Sequence, residues 1–485
     1  MLGLVGILVG LALLIALAYR GWSVLLLAPI AALIAAAFAG EPLLAHWSQT
    51  FMGSAARFLA QFFPIFLLGA LFGKLMDDSG SVTAIAGAMT RRLGARRAIL
   101  AVVIAGAIVT YGGVSLFVAF FVLAPMAEAL FRAADIPRRL MPAAIALGTS
   151  TFTMSALPGT PSIQNAIPMP FFGTTPFAAP GLGVIASIVM LVFGLAWLAR
   201  AEASARRRSE GFGPGILADV DAAAADEIVR ERATVAQEFD PAEIRHGHHA
   251  EQGPPLLAAF APLVVVVLVN LVMSLVVLPR LDLTYLAEPR WGSTSLSAVG
   301  GVWSVVVALA TAIVAVVALN LRRLSELRAS MDAGANASVL PAVSVASLVG
   351  FGAVVAALPA FEVVRDWVLS IQGGPLVSLA ASTNILAALT GSASGGMTIA
   401  LDALGSTYMG LAAELGIDPS LLHRVAVIGS GTLDSLPHNG AVVTLLAVCG
   451  TTHREGYFHI VMVGIVGAVL GLVAVIALGS VFGSF

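Results

Sequence analysis

The sequence predicts an all-α polytopic membrane protein built from inverted-topology repeats, each with five spans (one interrupted) and a re-entrant hairpin. Three observations predict it. First, 59% of the 485 residues are hydrophobic and only 11% are charged, against about 25% charged in an ordinary soluble domain. The mean hydropathy is +0.97, so lipid must be the solvent for much of the surface. Second, apolar runs near the length of about 20 residues that a helix needs to cross a bilayer recur along the chain. Third, helix-breaking polar clusters fall at matching places in the two halves. Soluble enzymes, nucleic-acid binders and secreted scaffolds are excluded, and a net charge of −2 sets up no field for a polyanion.

The spans read from apolar runs and their polar stops are 2–19, 22–40, 51–75, 178–199, 256–279, 298–321, 341–361 and 457–482. The first carries no basic n-region and has Arg20 behind it, so it reads as a span and not a cleaved leader. Regions 98–131 and 375–413 read as hairpins, and 140–170 and 421–450 as interrupted spans. The single cysteine, Cys449, excludes an internal disulfide and a cysteine zinc cluster, and reads as a small core residue.

Arginine fixes the orientation. With Arg20 inside, the cytoplasmic loops collect Lys74, Arg91, Arg92, Arg96, Arg97, Arg132, Arg138, Arg139, Arg322, Arg323, Arg328, Arg454 and the seven arginines of 200–254. That is 20 of the 25 basic residues on one face, as the positive-inside rule requires. Both termini then lie on the periplasmic side.

Three units follow: a first repeat over 1–199, a cytoplasmic polar linker over 200–254 and a second repeat over 255–485. The linker carries Arg206-Arg-Arg and His246, His248 and His249; a metal site is conceivable there, but a solvated connection is the simpler reading. The halves match at an offset near 255 for the first span and near 280 thereafter. Thr110 lies 48 residues before Pro158, and Thr390 lies 47 before Pro437. An odd number of full crossings per repeat gives the halves opposite orientation, the pattern of secondary transporters.

Four polar clusters interrupt apolar sequence: Tyr111, Gly112, Gly113 and Ser115 at the first hairpin tip; Ser155 to Asn165, with Gly159, Thr160 and Ser162, in the first break; Thr390 to Gly396, with Ser392, Ser394 and Gly395, at the second tip; and Gly429 to Gly440, with Ser435, His438 and Asn439, in the second break. Prolines 158 and 161 lack the N–H a continuous helix needs. A helix restarting near Ser162 would aim its positive end at the break, where an anion fits. Irregular backbone survives in lipid only beside other protein or a water-filled cavity. Small residues also serve close helix packing, but four clusters at repeat-matched positions point to a substrate site near the midplane.

Few ionisable residues lie in the spans. Glu128, with Arg132 one turn on, reads as an interfacial ion pair, while Arg57 and His423 also fall in apolar sequence. Asp402, Asp434 and His438 occur only in the second repeat, opposite Ala119, Met154 and about Gly159. A carboxylate at that depth must be neutralised by a proton or a cation, so Asp434, Asp402 and His438 are the candidate proton carriers. His438 and Asn439 can also donate to a carboxylate or hydroxyl of the substrate. No GxSxG, HExxH or P-loop occurs, so neither an enzyme constellation nor an ATP-driven engine is legible.

The stretches Gly112 to Pro125, Leu157 to Ala166 and Gly429 to Gly440 resemble the gluconate permease family of proton-coupled carboxylate symporters, within the ion transporter superfamily. The resemblance covers nearly the whole chain. It implies import of organic acids with protons, a homodimer of scaffold and transport domains in the bacterial inner membrane, and elevator-like movement of hairpins and broken helices. It implies no cofactor, metal or nucleic-acid partner; the coupling ion is H+, with Na+ at oxygen-rich tips as the alternative. A passive anion channel is a further alternative. Where the gluconate permeases resemble Pro-Pro-His-Pro-Gly-Pro, this chain reads Leu157-Pro-Gly-Thr-Pro, and Tyr111-Gly-Gly-Val-Ser replaces a glutamate-bearing tip. These changes favour a smaller, more apolar acid such as 3-hydroxybutyrate over gluconate.

Overall fold

The structure, a computed structural model, describes residues 2–18, 22–213, 250, 253–437 and 439–485, and no strand occurs among them. The first half begins with α1 (Leu2–Ala18), α2 (Val24–Ala39), the long α3 (Leu43–Asp78) and the short α4 (Ser81–Leu93). A hairpin of α5 (Ala98–Tyr111) and α6 (Leu116–Ala133) follows. The first broken span opens with α7 (Met141–Thr149), continues through isolated turns at Phe152–Ser155 and Ile163–Ala166, and closes with Pro168–Phe172. α8 (Pro180–Arg207) ends the half.

The second half repeats the order. It runs α9 (Leu256–Arg280), α10 (Leu296–Asn320), α11 (Leu327–Ala357), the short α12 (Phe361–Leu369) and a hairpin of α13 (Gly374–Thr390) and α14 (Ala393–Leu415). The second broken span is α15 (Pro419–Thr432) and α16 (Gly440–Val448), before α17 (His453–Phe482). Seven of the described helices, α3, α6, α8, α9, α10, α11 and α17, are long and apolar enough to cross a membrane. Prolines 29, 64, 125 and 262 sit inside helices, as bilayer-spanning helices tolerate when neighbours re-satisfy the backbone.

Two groups of helices pack mainly within themselves. α2 turns Leu27, Ala28, Ala31, Ala32, Ala35 and Ala36 inward, a stripe of helical period whose small side chains let it close on α1 and α11. Together with α3, α9 and α10 these form one group. The hairpins, broken spans, α8 and α17 form the other: α5 packs on α7, α13 on α15, and α8 on α17. Contacts between the groups run from α14 to α11, from Pro168–Phe172 to α10, and from α4 to α9.

Several boundaries depart from the sequence reading. The stretch taken as a cytoplasmic loop before the first hairpin contains α4, which meets the following helix at 101°. Val82, Ile85, Ala86 and Met89 bury one face of α4 while Arg91 and Arg92 lie in its last turn, an amphipathic pattern too short to register as a span. Its counterpart α12 is likewise new. α8 runs beyond 199 to Arg207, where Glu202 and Arg206 pair at 2.7 Å one turn apart, so the first residues assigned to the linker are helical. α17 begins earlier than 457, at His453, because Thr452 and Glu455 form a capping box. Arg20, His246, His248, His249 and His438 lie outside the described residues.

Candidate functional site

Both hairpins turn at polar tips. The first folds over Gly112 to Ser115, where Gly113 takes φ +98°. The second turns at Gly391 (φ +65°) and restarts at Ser392, whose hydroxyl accepts from Gly395 N at 3.2 Å. Each tip meets the break of its own half. Tyr111 donates its hydroxyl to the Pro158 carbonyl at 2.9 Å. Ala393 N at the second tip donates to Asp434 Oδ1 at 2.9 Å. The two breaks also meet, since a Cβ on Gly431 would lie 3.2 Å from the Ser155 Cβ.

These junctions enclose a cavity of about 300 Å³. Of the residues singled out from sequence, Gly113, Ser115, Ser155, Ser162, Ser392, Ser394, Asp434, Ser435 and Asn439 line it. Thr110, Ser150 and Thr390 add further hydroxyls. The charged side chains in its wall, among the described residues, are Lys74, Asp77 and Asp434.

Asp434 ties the second break to the second hairpin tip. Its Oδ1 accepts from Ala393 N and from Asn439 Nδ2, both at 2.9 Å. The Asn439 amide also donates to the Gly391 carbonyl at 2.8 Å, while its Oδ1 accepts from Ala441 N (2.8 Å) and Val442 N (3.3 Å) as the cap of α16. The N-termini of α14 and α16, both positive dipole ends, therefore converge on this carboxylate.

The first break is built differently. Asn165 is fully buried and turned away from the cavity; its Nδ2 donates to the Thr160 and Pro176 carbonyls, each at 3.0 Å. Its Oδ1 accepts from Arg424 at 3.4 Å and lies 3.2 Å from His423 Nε2. Arg424, also fully buried, donates to the Ala178 carbonyl at 2.6 and 3.2 Å. His423 Nδ1 pairs with Thr174 Oγ1 at 2.6 Å. Gly159 (φ +81°) faces the Phe177 ring, and its carbonyl accepts from Asn270 of α9 at 3.0 Å. Gly159, Thr160 and Asn165 thus hold the unwound backbone in place, since freed carbonyls at this depth need partners. The restart after Ser162 is a single turn, too short to sum a macrodipole, and the Ser162 hydroxyl donates to the Met154 carbonyl at 2.9 Å.

The structure does not bring every expected residue to the cavity. Tyr111, Gly112 and Gly395 support the tips from outside its wall, with Gly112 against Leu263 and Gly395 against Leu348. Asp402 is exposed on the second arm of its hairpin and is absent from the cavity wall. Glu128 pairs with Arg132 (2.7 Å) and Arg138 (2.8 Å), as an interfacial ion pair would. Sequence reasoning passed over Lys74, Asp77 and Arg424. By sequence position Lys74 reads as a loop cation, yet it is 5% exposed in the last turns of α3. Its signal was its singularity: it is the only lysine in the chain.

Comparison with known proteins adds to this geometry. A family model described as GntP family permease matches residues 2–175. An uncharacterized transporter, YxjC of Bacillus subtilis, is 40% identical over 484 residues, covering 98% of this chain and 99% of that protein. The high-affinity gluconate transporter of Escherichia coli is 38% identical over 106 residues, 21% of this chain and 23% of that protein. Among solved structures, Neisseria gonorrhoeae MtrF, described as illuminating a class of antimetabolite efflux pumps, aligns over 89% of this chain and 84% of its own with a TM-score of 0.52 at 15% identity. That likeness concerns the fold.

Proposed function

The chain belongs to the GntP permease family and is a multi-pass membrane permease, and from that premise we propose that it imports a small organic (hydroxy)carboxylate, such as 3-hydroxybutyrate or gluconate, by proton symport. The observation that carries this reading is Asp434, a carboxylate in the cavity wall tied at once to the second hairpin tip and the second break. Protonation of Asp434 weakens its hold on Ala393 N and Asn439, so one proton can act on both movable elements. A substrate anion entering a cavity that already holds Asp77 and Asp434 also favours a proton beside it.

In this reading Ser115, Ser392, Ser394 and Ser435 donate to the substrate from the cavity wall, while Ser155 and Ser162, whose hydroxyls donate to the Thr151 and Met154 carbonyls, offer it only acceptor lone pairs. Asp402 drops out as a coupling residue because it stands apart from the cavity, and His438 keeps the role its place between Asp434 and Asn439 suggests. The group of hairpins and broken spans moves against the group of α1–α3 and α9–α11 in an elevator manner, as a homodimer in the bacterial inner membrane with both termini periplasmic. Gly181 N, at the start of α8, donates to the Phe485 carbonyl at 2.8 Å, which sets the last residue beside the start of that helix.

Sodium coupling is the second reading. It is favoured by Ser392 Oγ and Ser394 Oγ, 3.2 Å apart beside the Gly391 carbonyl and Asp434, since hard cations take oxygen ligands. Uptake of labelled 3-hydroxybutyrate into proteoliposomes, with gluconate and citrate as competitors, separates the readings. Accumulation driven by an inward proton gradient in sodium-free buffer, and lost with a protonophore, is the expected result. Accumulation only after sodium is added, at clamped pH, selects the second. Equilibration without accumulation under either gradient would leave a passive channel.

A further inference from the structure

We infer that Lys74 is the cation that receives the substrate's carboxylate, and that it restricts the site to acids with a single anionic head. The inference rests on the organic-anion reading above and assigns the group that recognises the anion. All other basic residues of the chain are arginines, 24 of them, and Lys74 is the one cationic side chain among the described residues of the cavity wall.

Its placement is built. Lys74 Nζ lies 2.8 Å from Asp78 Oδ1, one turn on, and Asp78 is fully buried. The preceding residue, Gly73, meets the first hairpin tip so closely that a Cβ there would lie 3.3 Å from Ser115 N. Phe72 approaches the site of a Cβ on Gly113 to 3.9 Å. Lys74 therefore joins the cavity wall on the turn of α3 that packs against the first tip.

The chemistry favours lysine here. An ammonium carries three donors, so it can keep Asp78 and hold a carboxylate oxygen together. Arginine presents a flat fork suited to committed bidentate pairing, whereas the ammonium is a compact point charge on a flexible stem that can release its ligand. A second carboxylate on the substrate would face Asp77 or Asp434 across the cavity, with no second cation among the described residues of its wall. The class is thus a monocarboxylate, with hydroxyls placed for the tip serines.

The test is equilibrium binding of labelled 3-hydroxybutyrate to the purified full-length protein, with its uncharged amide and a dicarboxylate, malate, as competitors. The variants are Lys74→Gln, Asp78→Asn and the two combined. The wild type is expected to prefer the acid over both competitors, and Lys74→Gln to weaken the acid by about tenfold or more, the usual scale for removing a desolvated charge partner, while amide binding stays constant. The double variant removes both charges of this couple, so it should regain part of the thermal stability lost in Lys74→Gln without recovering acid affinity. Acid binding restored in the double variant, or lost equally for acid and amide in Lys74→Gln, would overturn the assignment and leave Lys74 a structural partner of Asp78. A wild-type protein that binds malate as well as the monoacid would overturn the single-head restriction. Failure of the wild type to bind any acid, with gluconate included, would instead remove the organic-anion reading beneath it.

Discussion

Asn439 donates to the carboxylate of Asp434 at 2.9 Å while its own amide oxygen caps α16. One side chain therefore links the candidate proton carrier to the backbone of the second break. Its remaining amide bond to the Gly391 carbonyl extends the link to the hairpin tip. Asn439→Ala removes the cap and the tie together. It should lower stability by about 1.5–5 kcal/mol, the sum expected of a lost N-cap and a buried acceptor left unpaired. Thermal unfolding in detergent measures this, and Asn439→Asp, which keeps the capping oxygen but sets a carboxylate against Asp434 and the Gly391 carbonyl, should not recover it at neutral pH.

Asp434→Asn keeps the shape of the side chain and removes the titration. Proton-driven accumulation of labelled 3-hydroxybutyrate should fall to the equilibrium level, while exchange of internal for external substrate persists. Accumulation at the wild-type rate by this variant would sink the coupling assignment. Asp402→Asn should accumulate normally, because Asp402 lies outside the cavity wall.

Gly396 marks the closest crossing of the second hairpin's arms. A Cβ there would stand 2.2 Å from Ala387 N and 2.4 Å from its Cα, backbone atoms that cannot move aside. Gly396→Ala should splay the tip and displace Ser392 and Asp434 from each other. The expected cost is about 3 kcal/mol or more, in the range of overpacking and close-approach defects. A melting temperature unchanged from wild type would contradict it.

Asn270 holds the first break from the other helix group, donating to the Gly159 carbonyl at 3.0 Å from a fully buried position in α9. Asn270→Leu leaves that carbonyl without this donor. It should destabilise this conformation by about 1–3 kcal/mol. Cysteine cross-linking rates between α9 and the 155–165 stretch should then shift, with thermal stability falling in parallel.

The C-terminal end of α8 carries a pH dependence. The hydrogen bond from Arg139 holds the Glu210 carboxyl below its ordinary value, with the charges of Arg139, Arg208 and His459 adding to it. Arg139 reaches Glu210 Oε2 at 2.8 Å. A carboxyl lowered on folding contributes its stabilisation above the unfolded value of 4.5 and loses it as pH falls through the folded value. Protection of the 208–213 amides, relative to their intrinsic exchange rates, should therefore stay constant from neutral pH down to the unfolded value of 4.5 and fall as the carboxyl protonates below it. Glu210→Gln should show the loosened exchange at every pH.

Much of the architecture was legible in the sequence because its signals are local. A bilayer leaves an apolar run of span length no alternative fold, and prolines and glycines break helices wherever they stand. Hence the hairpins at 98–131 and 375–413, and both interrupted spans, fell within a few residues of the observed helices. The amphipathic α4 and α12 escaped because half of each is polar, and a hydropathy reading averages the two faces away.

The sequence by itself determined where the apolar spans run, where they break, and which polar residues the breaks contain. Only the tertiary structure decided which of those residues face the cavity. Asn165 and Ser162 are three positions apart, yet one turns back to Arg424, 259 residues away, and the other lines the cavity. The direction of a side chain on a one-turn helix is set by what packs against it, and here those partners come from the other half of the chain. The same holds for Lys74, a loop cation by position, which becomes part of the cavity wall because the first hairpin tip folds back against Gly73.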